Sequence, residues 1–524
     1  MGDWLIHHEL ERQAHWRPAT VVKRFEGVAY TYAEFNARVN RTARALRNGG
    51  VSTGDVVVAH GRNHVDLFTL FYACSKLGAT YSTISTFQSA TNVEYICETL
   101  APSHVFYTAD EAILTETLST VRAAATAAVP DARFVSLDAA TVEGDSTFEA
   151  FIDGFDESDP VWGDDHPETT DHNVFWTSGT TGRPKAVVRD HRASLHYADP
   201  LLEVLAFTPD TKRLIQTNMM YVAPYLQYGV QTVMAGGSFE VLRQFDPEKI
   251  CELVNAGRAT VMLLTFTQQQ LLLEYLREHD VELRIPQLQV ILPNARVGEA
   301  LAEYADELYH LYVSTEVGLV AAKRIDPPFT ERPAVGVPGR GADVRLADPD
   351  TKVRAATPPQ PGDRGEIAVR GDVTMTRYLQ EEPQREKVRD GWVYPGDFVR
   401  VNDAGELVFV GRVDHRLRSG GVNVYPDEVE NVLTGHPAVE DAVVVGVPDE
   451  KWGERICALV VPADANADTD DLAADLDRFC RESADLARAI RPREYAFVRS
   501  QADIPTGALN KVSRPAVVER YFTQ

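Results

Sequence analysis

The sequence predicts an α/β protein: a large N-terminal body of covered, mixed or parallel sheets, a β-rich subdomain, and a small α+β unit at the C-terminal end. Three observations predict it. Strand and helix candidates alternate from Thr31 to about Tyr107 and again from Asn173 to about Leu346. Short strands between glycine-containing turns fill Ala334 to Val413, and beyond Val413 the pattern changes to helix, strand, strand, helix, strand.

In order along the chain, an amphipathic stretch, Tyr32 to Arg47, predicts a helix that leads through Gly49-Gly50 to a strand at Asp55 to Ala59. An apolar helix at Leu67 to Leu77 and a strand at Val105 to Tyr107 follow. Strands separated by helices imply a largely parallel sheet with both faces covered. The second alternating region carries strands at Asn173 to Thr177, Thr260 to Leu264 and Gln289 to Leu292, and the β-rich stretch carries Glu366 to Arg370 and Glu406 to Val410. The C-terminal unit reads as helix Pro426 to Leu433, strands Ala438 to Gly446 and Arg455 to Val461, helix Thr469 to Arg488 and strand Glu494 to Val498. Between Thr141 and His172 lie eleven acids and no lysine or arginine. Those acids lack the spacing of a calcium loop, so the segment reads as a solvated surface loop.

Composition limits the partners. The chain has 524 residues and a net charge of -25, with 77 acids against 52 bases, ten of them lysine. That field repels nucleic acid and anionic membrane, so a phosphate-bearing ligand needs a local site. No apolar run approaches the roughly 18 residues of a membrane span, and Met1 to Trp16 lacks the pattern of an export signal. A cytoplasmic location is expected. The five scattered cysteines fit reduced, buried thiols, neither a disulfide framework nor a CxxC metal site.

The richest segment is Phe175-Trp176-Thr177-Ser178-Gly179-Thr180-Thr181-Gly182-Arg183-Pro184-Lys185-Ala186-Val187-Val188. Glycines that let backbone N–H groups turn toward an anion, a cluster of hydroxyls, and two cations in an acidic protein suit phosphate. It is not a GxxxxGK[ST] loop: Ala186 follows Lys185, and the flanks look like strands on both sides.

The order of residues in this segment resembles the phosphate loop of the adenylate-forming superfamily, which includes acyl-CoA synthetases, luciferases and the adenylation domains of peptide synthetases. Four more blocks resemble that family in the same order. They are Tyr312-Val313-Ser314-Thr315-Glu316, Gly391-Trp392-Val393-Tyr394-Pro395-Gly396-Asp397, Gly411-Arg412-Val413-Asp414 with Ser419-Gly420-Gly421-Val422-Asn423-Val424-Tyr425-Pro426, and Ile504-Pro505-Thr506-Gly507-Ala508-Leu509-Asn510-Lys511. The resemblance spans essentially the whole chain. It implies an N-terminal adenylation domain over residues 1–413 and a small mobile C-terminal domain over residues 414–524.

It also implies roles. A carboxylic acid attacks the α-phosphate of ATP, and the acyl-adenylate passes to CoA, so ATP, Mg²⁺ and CoA are expected ligands. Thr177, Ser178, Gly179, Thr180, Thr181, Gly182 and Lys185 would hold the phosphates, and Glu316, helped by Thr180, would hold Mg²⁺, whose hardness suits oxygen donors. Tyr312 would stack on adenine beside Ala295, with Ser314 and Thr315 in the same segment. Asp397 would accept from the ribose hydroxyls and Arg412 would donate nearby. Lys511 would neutralise the reacting carboxylate and α-phosphate. Asp414 would be the hinge, and rotation there would bring Ser419, Gly420 and Gly421 over the adenylate to admit CoA.

The chain departs from the pattern in several places. Val222 takes the position where many CoA ligases gate with an aromatic or histidine, Val313 and Pro395 stand in for glycine and threonine, Arg296 lies where proline is common, and Asn510 replaces the glycine before Lys511. The pocket candidates Tyr221, Val222, Tyr225, Gln227, Tyr228, Gln268, Arg296 and Val313 are largely polar or aromatic, which points to a small, aromatic or functionalised acid instead of a long alkyl chain. Two alternatives stay open: another acceptor (a carrier-protein thiol, an amine, or a nitrite-activating branch), and a catalytically silent nucleotide-binding homologue. The oligomeric state, a homodimer among the options, is also open.

Overall fold

Strand pairing groups the elements into four sheets. A computed structural model describes residues 3–109, 117–177, 183–200, 202–291, 295–327, 329, 333–464, 466–483, 486, 490–506 and 512–523, without the side chain of Ala295. One eight-stranded sheet runs in the order Gly318–Ile325, Ala305–Ser314, Ile285–Ile291, Val261–Leu264, Lys212–Ile215, Ser238–Val241, Val21–Phe25, Val28–Thr31. Its interior pairs are parallel and its two edge pairs antiparallel. A second runs Arg377–Tyr378, Lys185–Asp190, Asp171–Thr177, Thr80–Ile84, Val56–His60, His104–Tyr107, Arg133–Ser136, Ser146–Thr147.

Between these two sheets lies the largest core. The helix Asp66–Leu77 buries all 12 of its residues; it is mostly apolar, and its two charges, Asp66 and Lys76, are met by ion pairs. Phe68 and Phe71 on it share one cluster with Phe239 of the first sheet and Tyr81 and Phe175 of the second. The amphipathic helix predicted from Tyr32 runs Tyr32–Asn48, started by a capping box between Thr31 and Glu34.

The β-rich stretch forms a six-stranded antiparallel sheet, with Arg364–Arg370 paired to Asp343–Ala347, Trp392–Val393 and Asp397–Val401, and Leu407–Arg412 beyond. The fourth sheet belongs to the small domain, where Val439–Asp449 and Gly453–Pro462 form the central hairpin and Glu494–Phe497 adds in parallel.

Three expectations are corrected. The strand predicted at Gln289 to Leu292 starts earlier, Ile285–Ile291, because Ile285 and Leu288 are buried despite the intervening polar residues. The helix predicted to Arg488 ends at Glu482, where Ser483 takes an extended conformation. The acidic segment has the expected solvated surface, most of its acids being exposed, but it is not all loop: it carries the short helix Phe148–Ile152 and is strapped down by ion pairs. Glu149 accepts from Arg38, Asp159 from Lys76, Asn36 and Asn40, and Asp171 from Arg377. Asp164 meets His7 and His8. The bases that neutralise it lie far away in sequence, so a local reading sees only acids. Among the described residues all five cysteines are buried and free, and no helix is long and apolar enough to cross a membrane.

Candidate active site

The phosphate segment folds as a hairpin. Asp171–Thr177 and Lys185–Asp190 pair antiparallel, with Thr177 opposite Lys185. That is the strand-loop-strand expected from its flanks, unlike the strand-to-helix phosphate loops. Ser178, Gly179, Thr180, Thr181 and Gly182 lie outside the described residues. The Thr177 hydroxyl at the hairpin mouth is buried without a partner among the described residues, the condition of a group that meets a ligand. Arg183 turns aside, its guanidinium 5.4 Å from the Tyr95 ring centroid.

Farther along the second hairpin strand, Arg189 is 1% exposed and sets the position of the Thr315-Glu316 segment. Its guanidinium donates to the carbonyls of Thr315 (2.9 Å), Glu316 (3.2 Å), Val373 (2.8 Å) and Ala193 (3.2 Å). Burial lowers its pKa to about 10, so it stays charged at neutral pH. The Glu316 carboxylate accepts from the Tyr378 hydroxyl at 3.0 Å. A carboxylate fixed by an outer hydrogen bond suits a hard divalent cation.

At the other end of the site, Asp397 begins the strand Asp397–Val401 opposite Arg412 and is 6% exposed. One carboxylate oxygen accepts from Arg412 at 2.9 Å, the other from the Tyr312 hydroxyl at 2.7 Å. Arg412 also grips Asp414 with two nitrogens, at 3.0 and 3.1 Å. Burial and the Asp397 charge push the Tyr312 phenol well up, so it remains a donor. Burial works against the Asp414 carboxylate, but Arg412 holds it below the usual range. A register shift between Tyr312 and Val313 splits their environments. Tyr312 packs with Val187 and Val317, Val313 against the core between the large sheets. Ser314 accepts from the Val317 amide through its hydroxyl.

Sequence reasoning missed Arg189, Tyr378 and Lys387. The Lys387 pKa is lowered, first by burial, with Arg412 and Lys185 lowering it and Asp414 opposing. Three cations therefore share this region. Arg189 offered a faint signal, a charge directly after the apolar run Ala186 to Val188; Tyr378 and Lys387 offered none.

Among the residues expected to line the acid pocket, Tyr225 is fully enclosed: its hydroxyl meets that of Tyr81 at 2.7 Å and its ring stacks on Phe71 at 5.1 Å. Tyr228 is buried beside Arg213. Tyr221 is partly buried and Val222 buried. Gln268 caps its own helix by accepting from the Thr265 amide. Arg296 is exposed and donates to the Val439 carbonyl of the small domain at 2.6 Å, so here its guanidinium serves the interdomain contact. Near Asp414, the expected hinge, Tyr425 stacks on Phe398 at 4.3 Å. Gly420 and Gly421, at φ +59° and +82°, turn the hairpin after Ser419, whose buried hydroxyl has no partner among the described residues. Lys511 lies outside the described residues, as does the side chain of Ala295. A separate cavity of about 440 Å³ is lined by Arg62, Leu242, Arg243, Gln244, Asp246 and Lys249. Arg243 and Lys249 are already paired with Glu26, Asp138 and Glu252, and no predicted site residue lines it.

Known proteins resemble the chain over nearly its full length. A feruloyl-CoA synthase of an Amycolatopsis species is 31% identical over 486 residues, covering 90% of this chain and 91% of its own. A 4-chlorobenzoate–CoA ligase of an Arthrobacter species is 27% identical, covering 97% and 93%. Among solved structures, ATP-bound MatB from Rhodopseudomonas palustris superposes with a TM-score of 0.84 at 24% identity, over 98% of this chain and 99% of that one. An anthranilate CoA ligase bound to anthranoyl-AMP gives 0.85 at 20% identity, over 99% and 97%. Residues 10–379 match the AMP-binding enzyme family and residues 428–507 its C-terminal domain; the chain therefore belongs to the AMP-binding enzymes of the adenylate-forming superfamily.

Proposed function

We propose that this protein joins a small, aromatic or functionalised carboxylic acid to CoA in two steps: formation of an acyl-adenylate from ATP with release of pyrophosphate, then transfer of the acyl group to the CoA thiol with release of AMP. The observation that carries this reading is the chain Tyr312–Asp397–Arg412–Asp414, which ties the proposed nucleotide contacts to the proposed hinge through hydrogen bonds of 2.7 to 3.1 Å. The relatives named as ligases of aromatic acids support it.

The residues divide the work. Thr177, Lys185 and the loop 178–182 bind the β- and γ-phosphates, and Asp397 orients the ribose. Two anions must meet in the first step, so fixed cations and donors lower its barrier mainly by position and electrostatics. Lys511 supplies charge at the reacting carboxylate and α-phosphate, and Lys185 stabilises the leaving pyrophosphate. Mg²⁺ would be held by Glu316, with Thr180, and supplies charge neutralisation on the phosphates. Rotation at Asp414 would then withdraw Lys511 and bring Ser419 to Gly421 over the acyl group.

The test is pyrophosphate release from a panel of acids, with and without CoA. Acid-dependent release with CoA consumption is expected. Release without CoA consumption points to another acceptor, and silence toward every acid and nitrite points to a non-enzyme. Lys511→Ala is expected to abolish pyrophosphate formation yet spare thioester formation from supplied acyl-adenylate; equal retention of both half-reactions would refute its role.

A further inference from the structure

One cation sits deep between the large sheets with no acid beside it. Arg213, on the strand Lys212–Ile215, is 0% exposed. Among the described residues no carboxylate pairs with it, and none of its three guanidinium nitrogens makes a well-formed hydrogen bond. Its faces are covered by aromatic rings, with the guanidinium carbon 4.3 Å from the Tyr228 centroid and 5.7 Å from that of Phe207. The Tyr228 hydroxyl is its polar neighbour.

Other buried polar groups, on the elements that neighbour the strand Lys212–Ile215, also lack partners among the described residues. Gln227, which precedes Tyr228 in the π-helical stretch Pro224–Val230, is fully buried with neither amide atom bonded. The amide oxygen of Gln289 and the hydroxyl of Tyr197 also lack partners. The Tyr197 ring lies against Arg189, whose guanidinium is 4.9 Å from its centroid. A buried unpaired charge is costly, and an apolar side chain of similar volume would serve the fold better. Ring contacts compensate only the faces of the guanidinium, and along its N–H edges the Tyr228 hydroxyl is the one polar neighbour among the described residues.

Arg213 also lies at a suitable depth. It precedes Ile215, the last residue of its strand, by two positions, which at ~3.3 Å per residue puts it ~7 Å inward from the C-terminal strand end where ligands of such sheets bind. An aromatic ring on a short chain would span that depth.

We propose that Arg213 anchors the far end of the acid being activated, and that this acid carries, remote from its reacting carboxyl group, a second oxygen acceptor of anionic character, a carboxylate or an ionised phenol. The inference rests on the acid activation proposed above and narrows its substrate class. The Tyr228 hydroxyl and the Gln227 amide supply the remaining donors.

The experiment compares pyrophosphate release from acids that differ only at the far end: cinnamate, 4-methylcinnamate, 4-hydroxycinnamate and 4-carboxycinnamate, with the wild type, Arg213→Met and Arg213→Lys. The wild type is expected to favour at least one oxygen-bearing acid over the methyl analogue by tenfold or more in kcat/KM. In Arg213→Met that ratio should collapse toward one, and Arg213→Lys should keep part of it. A purely structural arginine would change rates on all four acids together and leave the ratios alone. If Arg213→Met does not fold, the wild-type ratios and Arg213→Lys decide. Wild-type ratios near one, or ratios retained without the arginine, overturn the proposal while acid activation stands; silence toward every acid removes both.

Discussion

The carboxylates of the site are held by residues with little sequence signature. Glu316 and Asp397 sit in recognisable blocks, but their geometry depends on Tyr378, Tyr312 and Arg412, and on a buried arginine that binds only backbone. Hydrogen bonds to a charged group contribute about 1.5–3 kcal/mol. Tyr378→Phe should therefore lower kcat/KM for ATP by about tenfold and raise the Mg²⁺ concentration needed for half-maximal rate, with little change in the melting temperature. Unchanged Mg²⁺ dependence would mean that the hydroxyl does not position Glu316. Block residues were legible because their order is specific. Tyr378 and Lys387 were not, because a tyrosine or lysine on a strand edge or short helix looks the same whether it faces solvent or a site.

Among the elements, the long apolar helix and the phosphate hairpin were readable from periodicity and length. The acidic strap was not, since its counter-charges come from helices and strands distant in sequence. Nor was the π-helical turn Pro224–Val230, a rare geometry that gathers at functional sites. Here Gly229 makes the close approach possible: a Cβ added to it would lie 2.2 Å from the Phe68 ring. Gly229→Ala should destabilise by about 1–3 kcal/mol through overpacking, seen as a lower unfolding midpoint in urea. An unaltered midpoint would show that the turn relaxes without cost.

At the scale of the molecule, the response to acid follows from buried histidines. Burial lowers the pKa of His7 and His172 to about 3 and of His60 and His104 to about 4. Each is neutral when folded, while the unfolded chain protonates it near 6.5. The unfolded state then binds more protons between those values, so the stability these groups contribute at neutral pH is lost as pH falls from about 6.5 toward 3 to 4. Between pH 7.5 and 5.5 the loss is about 1.4 kcal/mol for each histidine. Two effects act in the opposite sense: burial pushes the Asp441 carboxyl up to about 6, so it takes up its proton in the folded state within this window, and repulsion among the other carboxylates is relieved as they titrate near pH 4; four histidines outweigh one aspartate here. The urea midpoint should fall between pH 7.5 and 5.5; a rise would contradict the burial argument.

What the sequence determined by itself was the family, the order of elements, and the carboxylates and cations placed by ordered blocks, because short motifs and helix or strand periodicity are local properties of the chain. Only the tertiary structure decided which charges meet. It joined Tyr312 to Asp397, Arg189 to the Glu316 carbonyl and Lys76 to Asp159, and it left Arg213 buried without an acid. Pairing and desolvation depend on distances between segments far apart in sequence, and those distances exist only once the sheets have packed.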